Sequence, residues 1–538
     1  MSDARSEGVV SGWIFLSGLT GSGKSTLGKV LASRLQRPFV DLDQEIERQQ
    51  GRSIAEIFRS EGEAAFRRME SEGLRALVEC GGLPGVLALG GGTLTHPESR
   101  RLALRRGIVV TLEAPVEEVA QRLQGSETRP LLEGLDPDAR RERLLKLWQE
   151  RRAAYAECHI RLSTQGRSPE QGAEALVDLL GRVPVVVPLG ERTYPVWVGA
   201  ALRKTLLPQL EEGGRPSSLL CVSDSHVDAS WSSFRQELAA AFRPFHSLIL
   251  PPGEESKHLG SLAAIWDAAL DAGCDRQSCL LALGGGVIGD LAGFAASTLL
   301  RGVDFVQMPT TLLAMVDSSV GGKTGIDRPQ GKNLVGAFHQ PRFVICDLDF
   351  LATLPLRERR AGLAEVVKSA WLEGEEAVAA LERDAEALAR GETEATERAI
   401  RMAIGLKARI VGEDEHESGP RRLLNFGHTL GHAIEAAEGY GRLRHGEAVA
   451  LGMVAALEIA ARHFGDAPAS VQRMRALLRR LGLEAEPRAY LRDETWTFLS
   501  SDKKKRGNRV HWVLPREPGD QSIVALELSE ARALLGAG

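Results

Sequence analysis

The stretch RRLLNFGHTLGHAIEAAEGYGRLRHGE, residues 421–447, decides how the larger part of this chain is read. At about 100° per residue, Leu423, Phe426, Leu430, Ile434 and Ala437 fall on one side of a helix and His428, His432 and Glu435 on the other. The apolar stripe packs against a core, which leaves metal-competent and acidic side chains facing water or a polar cleft. His445 then opens a further helical run, HGEAVALGMVAALEIA. Two imidazoles one turn apart can share a divalent ion, and an ion that takes part in chemistry keeps one position open to substrate. For an HxxxH pair alone the alternative is a solvated helix face, so other parts of the chain have to choose.

At 538 residues the chain is long for one core, and about 150 residues per domain predicts three or so. Its 43% hydrophobic and 26% charged residues are ordinary for a soluble globular protein, and a net charge of −5 gives no footprint for nucleic acid or a membrane surface. The N-terminal apolar run is too short for a signal peptide and no later stretch is long enough to span a bilayer, which predicts a cytoplasmic protein. Cys80, Cys158, Cys221, Cys274, Cys279 and Cys346 lack CxxC spacing and read as small core residues. Only 12 of the 67 basic residues are lysine. Where arginine is the default cation, each retained lysine suggests a need for a compact ammonium.

WIFLSGLTGSGKSTLGKVLASRL reads as strand, glycine-rich turn and helix, with Gly18, Gly23, Lys24 and Ser25 matching GxxxxGK[ST]. Backbone N–H groups of such a turn wrap phosphates, the lysine reaches the terminal ones and the serine ligates Mg²⁺. Gly21, Ser22, Gly23, Lys24, Ser25 and Thr26 are therefore the ATP-binding candidates. Beyond them stand Asp41 and Asp43 at a strand end, Arg67 in EAAFRRME, Gly90 to Gly92 in VLALGGGTL, Arg129 in GSETRPLLEG and Arg152 in RRAAY. Over residues 1–182 the chain resembles shikimate kinase, with these motifs in the family's order. The resemblance implies Asp43 for the substrate hydroxyls and as base, Arg67 and Arg152 for its carboxylate, Gly91 for a backbone contact and Arg129 in a lid over ATP. Bidentate arginines suit a small hydroxy acid. Asp41 and Asp43 also fit a Mg²⁺ shell, and the sequence does not divide those roles.

A helix ends at Gly181 and a β-rich pattern begins near Val183 without a long linker. From there to about residue 350, buried strands alternate with helical runs, a doubly wound α/β pattern. GGGVIGD follows a strand and opens a helix, so that Gly284, Gly285, Gly286 and Gly289 expose bare backbone to a pyrophosphate. The alternative is a tight strand-to-helix turn. Asp317, Lys323, Lys332 and Asn333 lie among glycines and suit a phosphorylated, carboxylated ligand; here the alternative is a polar loop. Farther on, GLAEVVKSAWL puts Glu365 and Lys368 on one helical face. Helix geometry would bring Arg421 and Asn425 near His428 if that helix began early enough. DKKKRGNRVHWVLP sets a basic turn before a strand.

PLGERTYPVWVG, GGGVIGD, MVDSSVGGKTGID, GLAEVVK, NFGHTLGHAIE and RHGEAVA stand in the order found in 3-dehydroquinate synthase, which the chain resembles from Val183 onward. The resemblance implies metal ligands Glu365, His428 and His445, with Zn²⁺ or Co²⁺, and moves His432 from ligand to phosphate-side or proton-handling residue. It implies NAD at Gly253, Glu254, Glu255, Ser256, Lys257, Gly286, Val287, Ile288, Gly289, Asp290, Thr310, Thr311, Lys323, Lys332, Phe350, Leu351, Ala352 and Thr353. The substrate would meet Asp317, Lys323, Lys332, Asn333, Lys368, Lys407, Arg421, Asn425, His432 and one of the terminal lysines, Lys503 or Lys504. Arg301 would reach into the neighbour's site across a homodimer interface. Lys24, Asp43, Lys323, Lys368, Lys407 and His432 are the catalytic candidates.

The expected architecture is α/β: a P-loop kinase domain (1–182), a dinucleotide-binding domain (183–350) and an all-helical metal-binding domain (351–538). The expected function joins two steps of aromatic amino-acid biosynthesis. One is ATP- and Mg²⁺-dependent phosphorylation of shikimate. The other is NAD- and metal-dependent conversion of 3-deoxy-D-arabino-heptulosonate 7-phosphate to 3-dehydroquinate and phosphate. The alternatives are a metal-dependent polyol dehydrogenase in the second half, against which the clustered lysines argue, and a non-catalytic nucleotide sensor in the first.

Overall fold

The structure, a computed structural model, describes residues 12–80, 84–124, 130–132, 134–181, 183–212, 214–439, 442–466, 468–501 and 509–536. Arg129 and Lys503 to Lys505 lie outside these residues. The chain forms two compact units, 1–193 and 194–538, so the division falls eleven residues beyond the expected Val183, and the expected NAD-binding and helical portions share one unit.

The first unit is built on strands β1 (Trp13–Ser17), β2 (Phe39–Asp41), β3 (Val86–Ala88), β4 (Gly107–Glu113) and β5 (Ile160–Ser163), all parallel, in the order β2-β3-β1-β4-β5. β1 is buried throughout, as a strand covered on both faces must be. It runs into a turn where Gly18, Gly21 and Gly23 take φ of 130°, 81° and 97°, values that favour glycine. Helix Lys24–Arg34 starts there. At the end of β2, Asp41 caps helix Leu42–Gln50 by accepting from the N–H groups of Asp43 and Gln44. Turn and cap thus lie at the carboxyl ends of the two strands that flank β3, on the edge where open α/β sheets bind ligands.

The second unit repeats the logic with β6 (Tyr194–Gly199), β7 (Leu219–Asp224), β8 (Phe245–Leu250), β9 (Cys279–Gly284), β10 (Asp304–Pro309) and β13 (Val344–Asp347). They pair in parallel in the order β6-β13-β10-β9-β7-β8. An antiparallel hairpin, β11 (Lys323–Arg328) and β12 (Gly331–Phe338), stands apart from this sheet. Beyond residue 351 helices dominate, joined by one antiparallel pair, β14 (Arg509–Glu517) and β15 (Asp520–Glu527). The described cysteines, from Cys158 to Cys346, are buried and free, as their spacing predicts.

The helix expected from residue 421 begins later, at His428. Pro420–Asn425 is a 3-10 turn, and Gly427 breaks the path with φ 78° before helix His428–Glu438 starts. Leu430 and Ile434 are buried as the stripe predicts, and Phe426 is buried from outside the helix. Arg421 and Asn425 are therefore placed by the turn and not by helical periodicity.

Three helices carry the metal candidates: Leu356–Glu373, His428–Glu438 and His445–Phe464. Two glycines on the third allow backbone to meet backbone. A Cβ on Gly446 would overlap the carbonyl of Ala361 in the first helix, and a Cβ on Gly452 would overlap the carbonyl of Gly427 at the start of the second. Neither obstacle is a flexible side-chain tip. Replacing Gly452 by alanine should destabilise the second unit by about 2–3 kcal/mol, the upper part of the overpacking range. Thermal unfolding of the full chain measures this, and an unchanged midpoint for the second unit would refute the close-approach argument.

Candidate functional site

In the first unit, Lys24 Nζ donates to the carbonyls of Gly18 and Leu19 at 2.8 and 2.9 Å, holding the loop closed around the space its backbone N–H groups face. Ser25 Oγ donates to Asp41 Oδ2 at 2.5 Å. A hydroxyl and a carboxylate so placed are the oxygen pair that a hard divalent cation takes. Asp41 is thereby engaged, while Asp43, the second residue of the helix, lies against Gly90, 2.9 Å from where a Cβ there would stand. The two acids thus occupy different places, Asp41 at the P-loop serine and Asp43 at the glycine run.

Each glycine of GGG is fixed by a different neighbour. A Cβ on Gly90 would collide with Glu70, one on Gly92 with the guanidinium of Arg67, and one on Gly91 would stand 3.2 Å from Arg151 Nη1. Arg67 is held by Glu70 Oε2 at 2.5 Å and Glu63 Oε1 at 2.8 Å, and buried Glu70 also accepts from Thr93 Oγ1 at 2.6 Å. Tyr155 donates to the Gly91 carbonyl at 2.5 Å. The second arginine here is Arg151, buried within helix Pro137–Ala156. Arg152, the sequence candidate, is exposed and pairs with Glu191 at 2.8 Å. Neighbouring helical residues differ by about 100° in direction, so only one of two adjacent arginines can face the glycines.

In the second unit, Glu365 is the centre. It is 1% exposed, with neither oxygen in a hydrogen bond of proper geometry. Oε1 lies 3.5 Å from His428 Nε2 and 3.7 Å from His445 Nε2. Ligands at about 2.0–2.2 Å from a tetrahedral zinc stand roughly 3.3–3.6 Å apart, so the carboxylate oxygen lies close to ligand spacing from each imidazole nitrogen. His428 offers Nε2 because its Nδ1 lies 3.1 Å from the Phe426 carbonyl; His445 does so because its Nδ1 lies 3.3 Å from Glu435 Oε2. His428, His432 and His445 also form a trio whose ligand atoms lie within 4.8 Å of one another, but His432 is exposed whereas Glu365 is buried. The donor set fits a divalent transition metal.

Charge around Glu365 is arranged by burial. Lys368, 2% exposed and one turn away, makes an ion pair with it. Burial opposes charging of both, but their attraction prevails, so the carboxyl is held below its ordinary range and the ammonium above. Lys407 donates to Asp317 Oδ1 at 2.5 Å and to its carbonyl at 2.6 Å. Burial, with Lys368 and Arg421 nearby, nevertheless lowers the Lys407 ammonium. Burial and Lys368 push His428 down to about 3, whereas Glu365 and Glu435 outweigh burial at His445 and raise it to about 9.

The lysine-rich candidates gather in smaller groups. Lys257 Nζ donates to Asp290 Oδ2 at 2.6 Å and to Asn333 Oδ1 at 2.5 Å. Lys332 Nζ donates to Glu435 Oε1 at 2.8 Å. Lys323 pairs with Glu417, which also accepts from Asn425 at 2.7 Å. Buried Arg421 donates to the carbonyls of Gly321 and Glu415, so it braces two loops.

Some candidates do different work from that expected. In GGGVIGD, Gly284 is needed because its own Ile288 packs onto it, and Gly289 because Gln307 does, leaving Gly285 and Gly286 to present bare backbone at the start of helix Gly286–Thr298. Ile288, Phe350 and Leu351 turn their side chains into the core, Phe350 meeting the Trp231 ring edge-on at 4.9 Å. Thr353 accepts from Trp231 Nε1 at 3.1 Å, and Ala352 is exposed. Gly253 has φ 97° ahead of the short turn Glu254–Ser256, Val287 is half-buried, and Thr310 and Thr311 lie where β10 ends. Arg301 is exposed, and both it (φ 71°) and Leu300 (φ 50°) hold left-handed backbone, at a cost of about 1–3 kcal/mol each. Arg151, Glu417 and the bridging role of Glu435 escaped the sequence reading.

Comparison with known proteins agrees with this division. Family models match at residues 20–181 (Shikimate kinase), 247–361 (3-dehydroquinate synthase N-terminal) and 362–505 (3-dehydroquinate synthase C-terminal). A 3-dehydroquinate synthase from Pelobacter propionicus is 43% identical over 353 residues, 65% of this chain and 98% of that protein. Among solved structures, a 2-deoxy-scyllo-inosose synthase complexed with carbaglucose-6-phosphate, NAD⁺ and Co²⁺ is 27% identical with a TM-score of 0.59, covering 66% of this chain and 99% of its own. ValA, a 2-epi-5-epi-valiolone synthase from Streptomyces hygroscopicus with NAD⁺ and Zn²⁺ bound, is 30% identical with a TM-score of 0.58, covering 64% and 96%. No helix among the described residues is long and apolar enough to cross a membrane.

His445 gives the metal reading a pH signature. Its raised value means that it carries a proton in the neutral range, and a ligand imidazole must lose it. Metal affinity should therefore rise about tenfold per pH unit up to about pH 9, with about one proton released per ion at pH 7.5. His428, already neutral there, adds none. Calorimetry in buffers of different protonation enthalpy counts that proton, and a count of zero would contradict the assignment of His445.

Proposed function

We propose, from the premise that the chain belongs to the 3-dehydroquinate synthase family and carries a shikimate kinase domain ahead of it, an assignment of its side chains to two separate reactions. The two activities make it a bifunctional enzyme of the shikimate pathway.

In the kinase half, ATP lies on the N–H groups of residues 21–26, with Lys24 turning from the Gly18 and Leu19 carbonyls to the terminal phosphates. Ser25 and Asp41 hold Mg²⁺. Arg67, kept in place by Glu63 and Glu70, and Arg151, beside Gly91, clamp the shikimate carboxylate. Asp43 faces the same hollow and accepts the proton of the hydroxyl that attacks. Phosphoryl transfer demands chiefly positioning and charge stabilisation, which this arrangement supplies.

In the synthase half, Glu365, His428 and His445 hold one Zn²⁺ or Co²⁺, and NAD lies over Gly285 and Gly286. When bound, the ion polarises the hydroxyl to be oxidised and the nicotinamide accepts and later returns its hydride. Lys368, Lys407, Lys323, Arg421 and Asn425 surround the heptulosonate, whose carboxylate and phosphate need such a cationic wall, as a neutral polyol does not. Glu417, set against Lys323 and Asn425, and His432, on the exposed side of the imidazole cluster, are placed to move protons during phosphate elimination and ring closure. The observation that carries this half is the buried Glu365 carboxylate, whose Oε2 pairs with Lys368 and whose Oε1 lies between two imidazole Nε2 atoms. The same reading includes a homodimer in which exposed Arg301 reaches the neighbour's site.

Assay of the purified chain with each substrate separately tests the assignment. His428→Ala should abolish phosphate release from the heptulosonate and leave shikimate-dependent ATP consumption near normal, while Lys24→Ala should do the reverse. Loss of both activities from either folded variant would contradict independent sites. Arg151→Ala should raise the KM for shikimate about 30-fold or more, as removing one partner of a charge-assisted pair does. Arg152→Ala should stay within about threefold. The opposite ranking would restore the arginine first favoured by the sequence.

A further inference from the structure

Glu435 lies on the helix that carries His428, is buried, and is no member of the proposed ligand triangle. Its two oxygens serve two different partners. Oε2 stands 3.3 Å from His445 Nδ1, and Oε1 accepts from Lys332 Nζ at 2.8 Å. Lys332 belongs to β12, in the hairpin that follows the dinucleotide-binding strands, and its ammonium also faces Glu254 at 3.8 Å. One carboxylate therefore links an imidazole of the metal cluster to a cation beside the turn Glu254–Ser256, where the dinucleotide is expected.

A histidine that gives its Nε2 lone pair to a metal must carry its proton on Nδ1, and an acceptor fixed at Nδ1 sets both the tautomer and the plane of the ring. His428 obtains that acceptor from the Phe426 carbonyl in its own segment. His445, first residue of its helix, obtains it only from another element, through Glu435. A carboxylate is also a stronger acceptor than a carbonyl and raises the basicity of the ring it holds. Its charge at His445 depends in turn on how much of it Lys332 neutralises. An anionic group that draws Lys332 toward itself leaves more of the Glu435 charge on His445.

We propose that Glu435 is a positioning residue that aims His445 at the metal and, through Lys332, ties metal affinity to occupancy of the dinucleotide site. This rests on the reading of Glu365, His428 and His445 as ligands. Linkage requires reciprocity: NAD that tightens the metal is itself held more tightly by the metal-loaded chain, by the same factor.

The test uses the full-length chain and reads metal binding directly. Zn²⁺ dissociation constants are measured by chelator competition, with and without saturating NAD, for the parent chain, Glu435→Gln, Lys332→Met and His428→Ala. Co²⁺ absorption spectra are recorded in parallel. Glu435→Gln should bind Zn²⁺ about 10- to 100-fold more weakly, as loss of an outer-shell partner does, and show an altered Co²⁺ spectrum. NAD should tighten Zn²⁺ by about fivefold or more in the parent chain and have no effect in Glu435→Gln or Lys332→Met. Lys332→Met, on a hairpin outside the core sheet, keeps the linkage testable should Glu435→Gln misfold. Parent-like affinity in Glu435→Gln, with His428→Ala unable to bind, overturns the positioning role and leaves the ligand assignment standing. Linkage that survives in Lys332→Met, or is absent from the parent chain, overturns the bridge. Undiminished binding in His428→Ala overturns the ligand reading itself.

Discussion

A carboxylate taken out of water costs several kcal/mol unless positive charge meets it, and Glu365, 1% exposed, is such a group. The second unit is arranged around that constraint. Lys368, one turn away on the same helix, supplies part of the compensation, and the imidazoles of His428 and His445 approach Oε1 from two other helices. On the proposed reading a divalent cation would supply the rest. The close approach of these helices, allowed by Gly446 and Gly452, fixes the distance across which the three donors face one another.

The same economy governs the surrounding cations. Cations gathered in one region repel one another, and each lysine, buried or exposed, is met by a specific acid or carbonyl: Asp317 for Lys407, Glu417 for Lys323, Glu435 for Lys332, and Asp290 with Asn333 for Lys257. A doubly anionic sugar acid entering such a wall exchanges one set of negative partners for another. Selectivity against neutral polyols then follows from charge, since an uncharged ligand gives those cations nothing in return. In the first unit a comparable economy is steric: three consecutive glycines let Asp43 with Glu70, Arg151 and Arg67 close around one small hollow.

Much of this was legible in the residues. The P-loop, the strand-to-helix glycines, the Glu365–Lys368 face and the paired histidines each follow from local spacing, whereas Glu365 in place of His432 as a ligand is implied by the family resemblance alone. What failed has physical causes. Arg151 and Arg152 are adjacent, and only the buried stripe of their helix separates them. Arg151 stands four residues from both Leu147 and Tyr155, all three buried, and that periodicity was available but unused. The helix start was misplaced because helical periodicity was extended through Gly427, whose left-handed backbone ends it. Glu417 sits in a loop with φ 59°, where no periodicity applies. Glu435 was correctly set on the histidine face, but its partner Lys332 is 103 residues away, a pairing that only the folded chain reveals.

The central claim is that one metal is gripped by a carboxylate and two imidazoles, and X-ray absorption spectroscopy of the zinc-loaded chain tests it directly. The account predicts two imidazole nitrogens and a Glu365 oxygen at about 2.0–2.2 Å, with the oxygen contribution altered in Glu365→Gln. A shell of three imidazoles, the same in Glu365→Gln but lost in His432→Ala, would place the ion on the histidine trio and contradict it.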